Sequence, residues 1–508
     1  MSSYVVSSNT DDSPAWRVSV IYPTQELSLM NAALQLDISL NGALGAIAQV
    51  GDLSMGQPLG HSRRVARLAR TLAQAMYGVG KHLAVAEQVA LLRWSGCTAN
   101  AEGFAHLLGN DVDGRRAMLD LTLSTDAMRA VHQATPLAVV HCEVSGQIAN
   151  TLGLGPAVEA GLCRVFETYD GTGRPLGLAH EHIPEVAYQV VLAGDLEILS
   201  RAHGLETALR WIVDQSNQRY PATLASLLVA NAKQWLDELE NPTATTDALE
   251  LGGPVSLTLV GDVIDLKLPW LAGHSRQVAH IAVEAARLSG QNESTLIDIG
   301  KAALVYGLGR AAVSNHVWNT AGPLPYGAME RVQLVPYWTH NALKPIRELD
   351  ASRKIAAHAY ERLDGSGYFR GASAQALRLE DRLLAAAVAW AALTGARPWR
   401  PAYGESEAAR LLIRDAGSGL FDREACEAVI AAARGERRLL QPRGAILSER
   451  ECRILLEISR GASNKQVARL LDISPSTVRT HVESIFRKLE CSTRAAATLK
   501  GLTLGLIS

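Results

Sequence analysis

Apolar residues recur at three- and four-residue spacing over much of the chain, which is the period of an amphipathic α-helix. The segments 62–76 and 275–288 show this pattern clearly. Alanine-rich stretches such as 383–393 also favour helix, because alanine has the highest helix propensity. Strand-like alternation of apolar and polar residues is scarce. The pattern therefore predicts an all-α protein.

The chain contains two copies of one helical unit. The sequence GHSRRVA at 60–66 is matched by GHSRQVA at 273–279, and ALLRWSG at 90–96 is matched by ALVYGLG at 303–309. A third pair, FETYDGTG at 166–173 and YERLDGSG at 360–367, follows in the same order at a smaller offset. These matches predict tandem modules, with one intervening loop shorter in the second copy.

Two polar stretches divide the 508 residues. Residues 237–254 are rich in acidic residues, Thr, Pro and Gly, and residues 435–445 are short and basic; both are typical of linkers. The predicted organisation is an N-terminal segment (1–40), a first module (41–236), a linker (237–254), a second module (255–434), a linker (435–445) and a small tail domain (446–508).

The tail domain carries the signals of several short helices. Helix starts are predicted at the capping boxes Ser448/Glu451 and Ser463/Gln466, at Ser474-Pro475, and near Thr493. The second helix is expected to bury Val467, Leu470 and Leu471, and the third Val478, Val482, Ile485 and Leu489. Two short helices with a tight turn match the geometry of a helix-turn-helix, whose second helix enters the major groove of DNA.

The charge distribution agrees with that interpretation. The chain has a net charge of −2, yet residues 443–508 carry eleven Lys and Arg against six Asp and Glu. The rest of the chain therefore carries −7, and only the C-terminal end has the sign that attracts a polyanion.

The tail resembles the LuxR-type DNA-binding domain over almost its whole length. The matching elements are the Ser448/Arg450/Glu451 start, GASNKQVA at 461–468, Ser474, TVRTH at 477–481 and Lys488-Leu489. By this resemblance the base contacts are assigned to Arg479, Thr480 and Glu483, and the phosphate contacts to Lys465, Ser476, Thr477, Arg487 and Lys488. The implied partner is a double-stranded operator, bound by a homodimer.

Both large modules resemble HD-GYP phosphohydrolases, in which His and Asp ligands hold metal ions that activate water. In the second copy the leading His274 is kept, but the His-Asp pair reads Tyr306-Gly307 and its following Lys is Arg310. The other ligand positions are Val335, Ala359-Tyr360 and Val388. The first copy keeps weak metal candidates at His61, His141 and Asp195, but reads Arg93-Trp94 and Val165-Phe166 at the two paired positions.

Because Tyr, Gly, Val and Ala cannot supply a dinuclear site, we expect no enzyme activity and no cofactor. The replaced positions predict an apolar and aromatic pocket, which is either filled within a dimerisation scaffold or open to an apolar small-molecule effector. Its candidate residues are His274, Tyr306, Val335, Trp338, Tyr360, Val388 and Trp390, with Trp399 as a further aromatic candidate. The alternative is a metal-dependent cyclic-dinucleotide phosphohydrolase with an attached DNA-binding domain.

Location is predicted from what the sequence lacks. No apolar run approaches the roughly 20 residues that span a bilayer, and the polar N-terminus does not have the form of a secretory signal. The six cysteines are scattered without a C-x-x-C pair, which is typical of reduced thiols. We therefore expect a cytoplasmic protein without membrane association.

Overall fold

Helices form nearly all of the regular structure, as the spacing of apolar residues predicts. The computed structural model describes residues 34–241, 252–435 and 446–507. Within these ranges the strands are β1 (Asp37–Ser39) and β2 (Pro254–Ser256), which pair antiparallel with Ile38 opposite Val255. This short ribbon joins the start of the first module to the start of the second.

The first module is built from eleven described helices. They are α1 (Leu40–Ser54), α2 (His61–Tyr77), α3 (Lys81–Leu92), α4 (Ala101–Leu108), α5 (Asp111–Leu119), α6 (Thr125–Gln133), α7 (Thr135–Thr151), α8 (Pro156–Leu162), α9 (Glu185–His203), α10 (Leu205–Asp214) and α11 (Ala222–Glu240). Short 3-10 turns lie at Ser95–Cys97 and His180–His182.

The second module repeats most of this order with shorter connections in its middle. Its helices are α12 (Thr258–Asp265), α13 (His274–Leu288), α14 (Glu293–Val305), α15 (Asn315–Trp318), α16 (Tyr326–Gln333), α17 (Val335–Leu343), α18 (Asp350–Ala356), α19 (Leu379–Thr394), α20 (Glu405–Gly417) and α21 (Arg423–Gly435). Its 3-10 turns lie at Pro269–Leu271, Leu308–Ala312 and Arg347–Leu349.

Both copies begin their second helix in the same way. Gly60 and Gly273 adopt left-handed backbone angles (φ 85° and 76°), a conformation that costs glycine little, and the next residue is the leading histidine. The serine that follows donates to a buried carboxylate on the preceding helix. The Ser62 Oγ lies 2.6 Å from Asp52, and the Ser275 Oγ lies 2.8 Å from Asp265. These contacts hold the histidine at the centre of each module.

The tail domain consists of four helices around its own core. They are α22 (Glu449–Ser459), α23 (Asn464–Leu470), α24 (Pro475–Lys488) and α25 (Arg494–Thr503). The capping boxes at Ser448 and Ser463 are formed, and Ser474 caps α24. The core includes Val467, Val478, Val482, Ile485 and Leu489, as predicted. Leu470 was expected to be buried, but it lies 63% exposed at the last residue of α23.

A buried ion pair joins the two modules. The Lys267 Nζ lies 2.7 Å from Asp111 Oδ2, and both side chains are at most 1% exposed. The other Asp111 oxygen accepts from the Ser314 hydroxyl at 2.9 Å and from the Asn315 amide at 2.7 Å. Asp111 opens α5 of the first module, whereas its three donors come from the second. A fully satisfied buried carboxylate of this kind fixes one arrangement of the modules.

The tail domain packs against the first module through its last helix. Helix α25 contacts α7, and the Ser492 backbone N–H donates to Glu143 at 3.2 Å. Ala496, Leu499 and Leu502 on α25 are all buried. Helix α24 stays outside this contact surface and keeps an exposed face.

The predicted boundaries fall close to the ends of elements. Residues 237–240 of the first predicted linker continue α11, and Pro254 begins β2. Residues 1–33, 242–251 and 436–445 lie outside the described residues and include most of the predicted N-terminal segment and linkers. No helix of the described part is long and apolar enough to cross a membrane.

Candidate functional sites

Helix α24 presents one buried face and one polar, exposed face. Its first turn is closed by the Ser474 hydroxyl, which accepts from the Thr477 backbone N–H at 3.0 Å. The exposed face carries Arg479, whose side chain is 77% exposed, and Glu483, which pairs with it at 3.0 Å. Since an exposed pair of this type is weak, Arg479 can exchange Glu483 for a base edge at small cost.

The remaining predicted contact residues lie around this face. Lys465, Ser476, Thr477, Thr480 and Arg487 are exposed. Lys488 is placed differently, because its Nζ lies 2.7 Å from Glu451 in the same domain. Burial opposes ionisation of Glu451, but hydrogen bonds from Lys488, Ser448 and Ser484 outweigh it and lower its pKa to about 2. Lys488 therefore has a structural partner that competes with a phosphate.

At the centre of the first module, His61 is enclosed by charged and aromatic groups. Its Nδ1 lies 2.5 Å from Glu197 Oε2, and its Nε2 is hydrogen-bonded by Arg93. The ring stacks on Trp94 with centroids 4.9 Å apart. Burial lowers the pKa of His61 to about 4, so the imidazole is neutral at pH 7.

Buried carboxylates surround the Arg93 guanidinium. Asp52, Glu197 and Asp195 all contribute favourable charge interactions to it, although burial lowers the pKa of Arg93 to about 10. Glu197 also pairs with Arg64 at 3.0 Å. Burial raises the pKa of Asp52 to about 7. These carboxylates favour the charged form of Arg93, although its buried Nε has no hydrogen-bond partner.

The second module replaces this arrangement with tyrosines. The Tyr306 hydroxyl lies 2.7 Å from His274 Nε2, the nitrogen that Arg93 engages on the equivalent His61. Tyr306 is fully buried, and its ring centroid lies 5.8 Å from that of Tyr360. Burial lowers the pKa of His274 well below its usual value. The leading histidine is therefore hydrogen-bonded at Nε2 in both modules.

A second buried arginine, Arg310, lies beside these tyrosines. Its Nη2 donates to the Tyr360 hydroxyl at 2.9 Å, and its Cζ lies 4.6 Å from the Tyr306 ring centroid. Its Nη1 is buried without a hydrogen-bond acceptor and lies 3.9 Å from Asp265 Oδ1. The sequence predicts an apolar and aromatic pocket here. That interpretation is wrong in one respect, because a guanidinium lies among the aromatic rings.

Glycine makes room for the guanidinium in each module. A Cβ at Gly307 would lie 2.6 Å from Arg310 Nη1, and a Cβ at Gly194 would overlap Arg93 Nη1. Gly307 stands where the resemblance expects the aspartate of the His-Asp pair. Gly307 therefore leaves the space that the Arg310 guanidinium occupies.

The three residual metal candidates of the first module have other partners. His141 is buried against Phe166 and lies 3.4 Å from the Ser145 hydroxyl. Asp195 pairs with Arg219 at 2.7 Å, and His61 is engaged as described. In the described ranges no three His, Cys, Asp or Glu side chains are grouped so that they could hold a metal ion. These residues do not fit a di-metal centre.

The structure brings together only part of the predicted ligand pocket. His274, Tyr306 and Tyr360 contact one another, and Val335 packs in a small apolar cluster that includes Tyr360. Val388 and Trp390 are buried on α19, but residues two apart on a helix face different directions. Trp338 packs on Tyr337, and Trp399 packs on Trp270.

Sequence reasoning did not identify Glu197 or Arg397 as site residues. Glu197 and Arg397 each lie more than 100 residues after the GHSR motif of their module, and no spacing rule links them to its histidine. Glu197 is one turn beyond Ala193 on α9, where an acidic residue in an apolar helix was the available signal. Arg397 belongs to an irregular turn after α19, which gives no periodic signal.

Comparison with known proteins identifies both parts of the chain. The family described as "HD domain" matches residues 258–425, and the family described as "Bacterial regulatory proteins, luxR family" matches residues 445–500. The protein therefore contains an HD domain and a C-terminal LuxR-type helix-turn-helix domain.

Individual relatives match either the helical modules or the tail domain. The 3'3'-cGAMP-specific phosphodiesterase 3 of Vibrio cholerae is 26% identical over 53% of this chain and 62% of its own length. The nitrate/nitrite response regulator protein NarP of Escherichia coli is 46% identical over 11% of this chain and 25% of its own length. The chain thus spans about three fifths of the length of the first of these relatives.

A solved structure agrees with the fold. The crystal structure of a cyclic GMP-AMP specific phosphodiesterase of V. cholerae superposes with a TM-score of 0.55 at 21% identity, over 80% of this chain and 99% of that one. At this identity the likeness concerns the fold alone.

Proposed function

We propose that this protein is a DNA-binding transcriptional regulator whose tandem HD-like modules act as a small-molecule sensor, a dimerisation module or both. The observation that carries the proposal is the exposed polar face of α24, on a helix whose opposite face forms the core of a LuxR-type domain. Arginine reads guanine through two hydrogen bonds in the major groove, and Arg479 is the exposed arginine at the middle of this face.

The test is a gel shift with a duplex that the wild type selects from a random pool. Arg479→Ala removes a bidentate contact worth about 1–3 kcal/mol, so we expect roughly 5- to 150-fold weaker binding to the selected duplex and less discrimination against other sequences. Arg129→Ala is the matched control, because Arg129 is an exposed arginine on α6 of the first module. Equal affinity of Arg479→Ala and the control would contradict the assignment of α24.

The sensor part of the proposal requires two conformations with different DNA affinity. A ligand changes that equilibrium only through a difference in its affinity for the two states. The homodimer follows from the two-fold symmetry that helix-turn-helix proteins share with their operators. Sedimentation equilibrium of the full chain tests it, and a monomer that binds one half-site would contradict it.

A metal-dependent phosphohydrolase is the second candidate function. It is favoured by the V. cholerae relative, whose name describes a cGAMP-specific phosphodiesterase. We propose the regulator instead because Arg93 stands where the resemblance expects the histidine of the His-Asp pair, and a guanidinium there opposes the binding of a metal ion. Metal analysis of the purified chain together with a cyclic-dinucleotide turnover assay separates the two functions. Near-stoichiometric iron or manganese with turnover would establish the enzyme.

A further inference from the structure

Two cysteines that lie 21 residues apart in the sequence face each other in the first module. Cys142 is in the middle of α7, and Cys163 directly follows the last residue of α8. The Cys142 Sγ lies 3.3 Å from the Cys163 carbonyl oxygen, and the Cys163 Sγ lies 3.4 Å from the Cys142 carbonyl oxygen. Each sulfur therefore lies against the main chain of the other residue. A disulfide requires side chains that point toward each other in this way.

The backbone around the pair leaves room for both sulfurs. One turn after Cys142, α7 has Gly146, and a Cβ at this position would lie 3.5 Å from the Cys163 Sγ. The Cys163 sulfur thus lies on the surface of α7 beside Cys142. Residues 163–166 form turns outside any helix, so the main chain of Cys163 can adjust without distorting a helix.

The two thiols differ in access and in the charge beside them. Cys142 is 7% exposed, whereas Cys163 is half-buried. The Arg164 Nη1 donates to the Cys163 carbonyl at 3.0 Å, which keeps a positive charge next to this cysteine. The contact with Cys142 and the charge of Arg164 lower the pKa of the Cys163 thiol, although burial opposes them. Because a solvent-accessible thiol beside a cation is the more reactive one, Cys163 is the cysteine that an oxidant reaches first.

The other four cysteines have different surroundings. Cys97 and Cys426 are buried, and Cys452 and Cys491 are half-buried in the tail domain. Within the described ranges, no hydrogen bond joins any of these four to another cysteine. The fold thus selects one pair from six free thiols, although the sequence spacing of the cysteines does not indicate it.

We propose that Cys142 and Cys163 are a redox-active dithiol, which a low-molecular-weight disulfide such as oxidised glutathione converts into an intramolecular disulfide. The Cys163 sulfur attacks one sulfur of the small disulfide, whose S–S bond breaks and releases the first small thiol. The Cys142 sulfur then attacks Cys163 in this mixed disulfide and releases the second small thiol. The two protein thiols are oxidised, and the small disulfide is reduced to two thiols that take up the two protons.

The dithiol lies next to the surface on which the tail domain docks. Glu143 follows Cys142 on α7 and accepts the Ser492 backbone N–H. Oxidation would therefore join α7 to the end of α8 covalently beside this contact. The inference goes beyond the proposed function and does not depend on it, since neither operator recognition nor a ligand in the second module enters the reaction.

Incubation of the folded full chain with oxidised glutathione tests the site. Free thiols are then blocked with iodoacetamide, and unreduced peptides are identified by mass spectrometry. We expect the peptides that contain Cys142 and Cys163 to be cross-linked, with the loss of two of the six free thiols. Dithiothreitol should restore both thiols. A wild-type chain in which Cys142 and Cys163 are both still alkylated, or in which other cysteines are cross-linked instead, would overturn the proposal.

Variants test the order of the two steps. Cys142→Ser should stop the reaction at a glutathione adduct on Cys163, and Cys163→Ser should abolish the cross-link. Cys452→Ser is the matched control, because Cys452 is a half-buried cysteine in the tail domain, and it should cross-link as the wild type does. A stable glutathione adduct on Cys163 of the wild type would refute the pair, as would an equal yield of the cross-link from the chain unfolded in urea. The wild-type results do not depend on whether the variants fold.

Discussion

The two HD-like modules have the same frame and neutralise a buried arginine in different ways. Each begins with a left-handed glycine, a neutral buried histidine and a carboxylate that accepts from the next serine. In the first module Glu197 bridges His61 and Arg64 and lies near Arg93. In the second module α19 has only apolar residues in its central turns, and tyrosines surround Arg310.

This difference teaches which parts of a duplicated fold are free to change. The serine–carboxylate contact persists because it orients the start of a helix, and a change there would displace the backbone. The side chains at the centre of the two modules differ, but in each module a glycine lies beside the buried guanidinium: Gly194 beside Arg93 and Gly307 beside Arg310. Both modules keep an arginine nitrogen without a hydrogen-bond partner, Arg93 Nε in the first and Arg310 Nη1 in the second.

The largest expected effect comes from removing the counter-charge of the first module. Glu197→Gln removes the carboxylate that pairs with His61 Nδ1 and Arg64, and it should lower the free energy of unfolding by about 3–5 kcal/mol, the usual cost of breaking a buried pair. Thermal unfolding of the full chain measures it.

The matched variant in the second module is Arg310→Met. It removes a buried cation whose carboxylate partner, Asp265, lies at a long 3.9 Å, so we expect a smaller change in the free energy of unfolding, of less than about 1 kcal/mol. If Arg310→Met proves as destabilising as Glu197→Gln, the two modules do not differ in charge balance as described.

A loss of stability of intermediate size, equal in the two modules, is expected from a glutamate that holds the same loop in both. Glu167 and Glu361 are buried, and each accepts two backbone N–H groups of the following loop, at 2.8 and 2.9 Å for Glu167 and at 2.9 Å twice for Glu361. Glu167→Gln and Glu361→Gln should each cost about 1–3 kcal/mol, because one backbone donor loses its acceptor. Unequal shifts in the two thermal unfolding temperatures would show that the loops are not equivalent.

A pH dependence of stability is expected from the buried His141 of the first module. Burial lowers the pKa of His141 from 6.5 to about 3, so the unfolded chain binds this proton more readily than the folded chain. The contribution of His141 to stability is therefore complete above pH 6.5 and is lost as the pH falls toward 3, by up to about 1.4 kcal/mol per pH unit.

His141→Val tests this dependence, since Val335 occupies the equivalent position in the second module. The variant should lose stability less steeply than the wild type between pH 6.5 and the onset of acid unfolding. Unfolding temperatures measured at half-unit steps give the slope. Parallel curves for the variant and the wild type would show that His141 is not kept neutral by burial.

Most of the fold could be predicted because it depends on local signals. Helical periodicity, the capping serines and the paired motifs at Gly60 and Gly273 are each encoded within a few residues. The polar face of α24 follows from the same periodicity. The predicted base and phosphate contacts, the dimer and the effector remain predictions.

The interior of the second module could not be predicted in the same way. Arg310 was identified as a replaced lysine, but its position among Tyr306 and Tyr360 depends on the packing of separate helices. Arg397 lies in a turn almost ninety residues further along the chain, and its Cζ packs 4.8 Å from the Trp270 ring centroid, in yet another segment. Charge balance in a core is a property of the folded arrangement, and no single motif carries it.

The packing of α25 on α7 has a mechanical consequence. Although the tail domain follows the second module in the chain, the Ser492 backbone N–H of the tail donates to Glu143 of the first module. The Asp111–Lys267 ion pair joins the two modules, and α25 contacts both α7 of the first module and α12 of the second. A movement that separates the two modules must therefore also displace the tail domain, including α24, or break the packing of α25 against one of the modules.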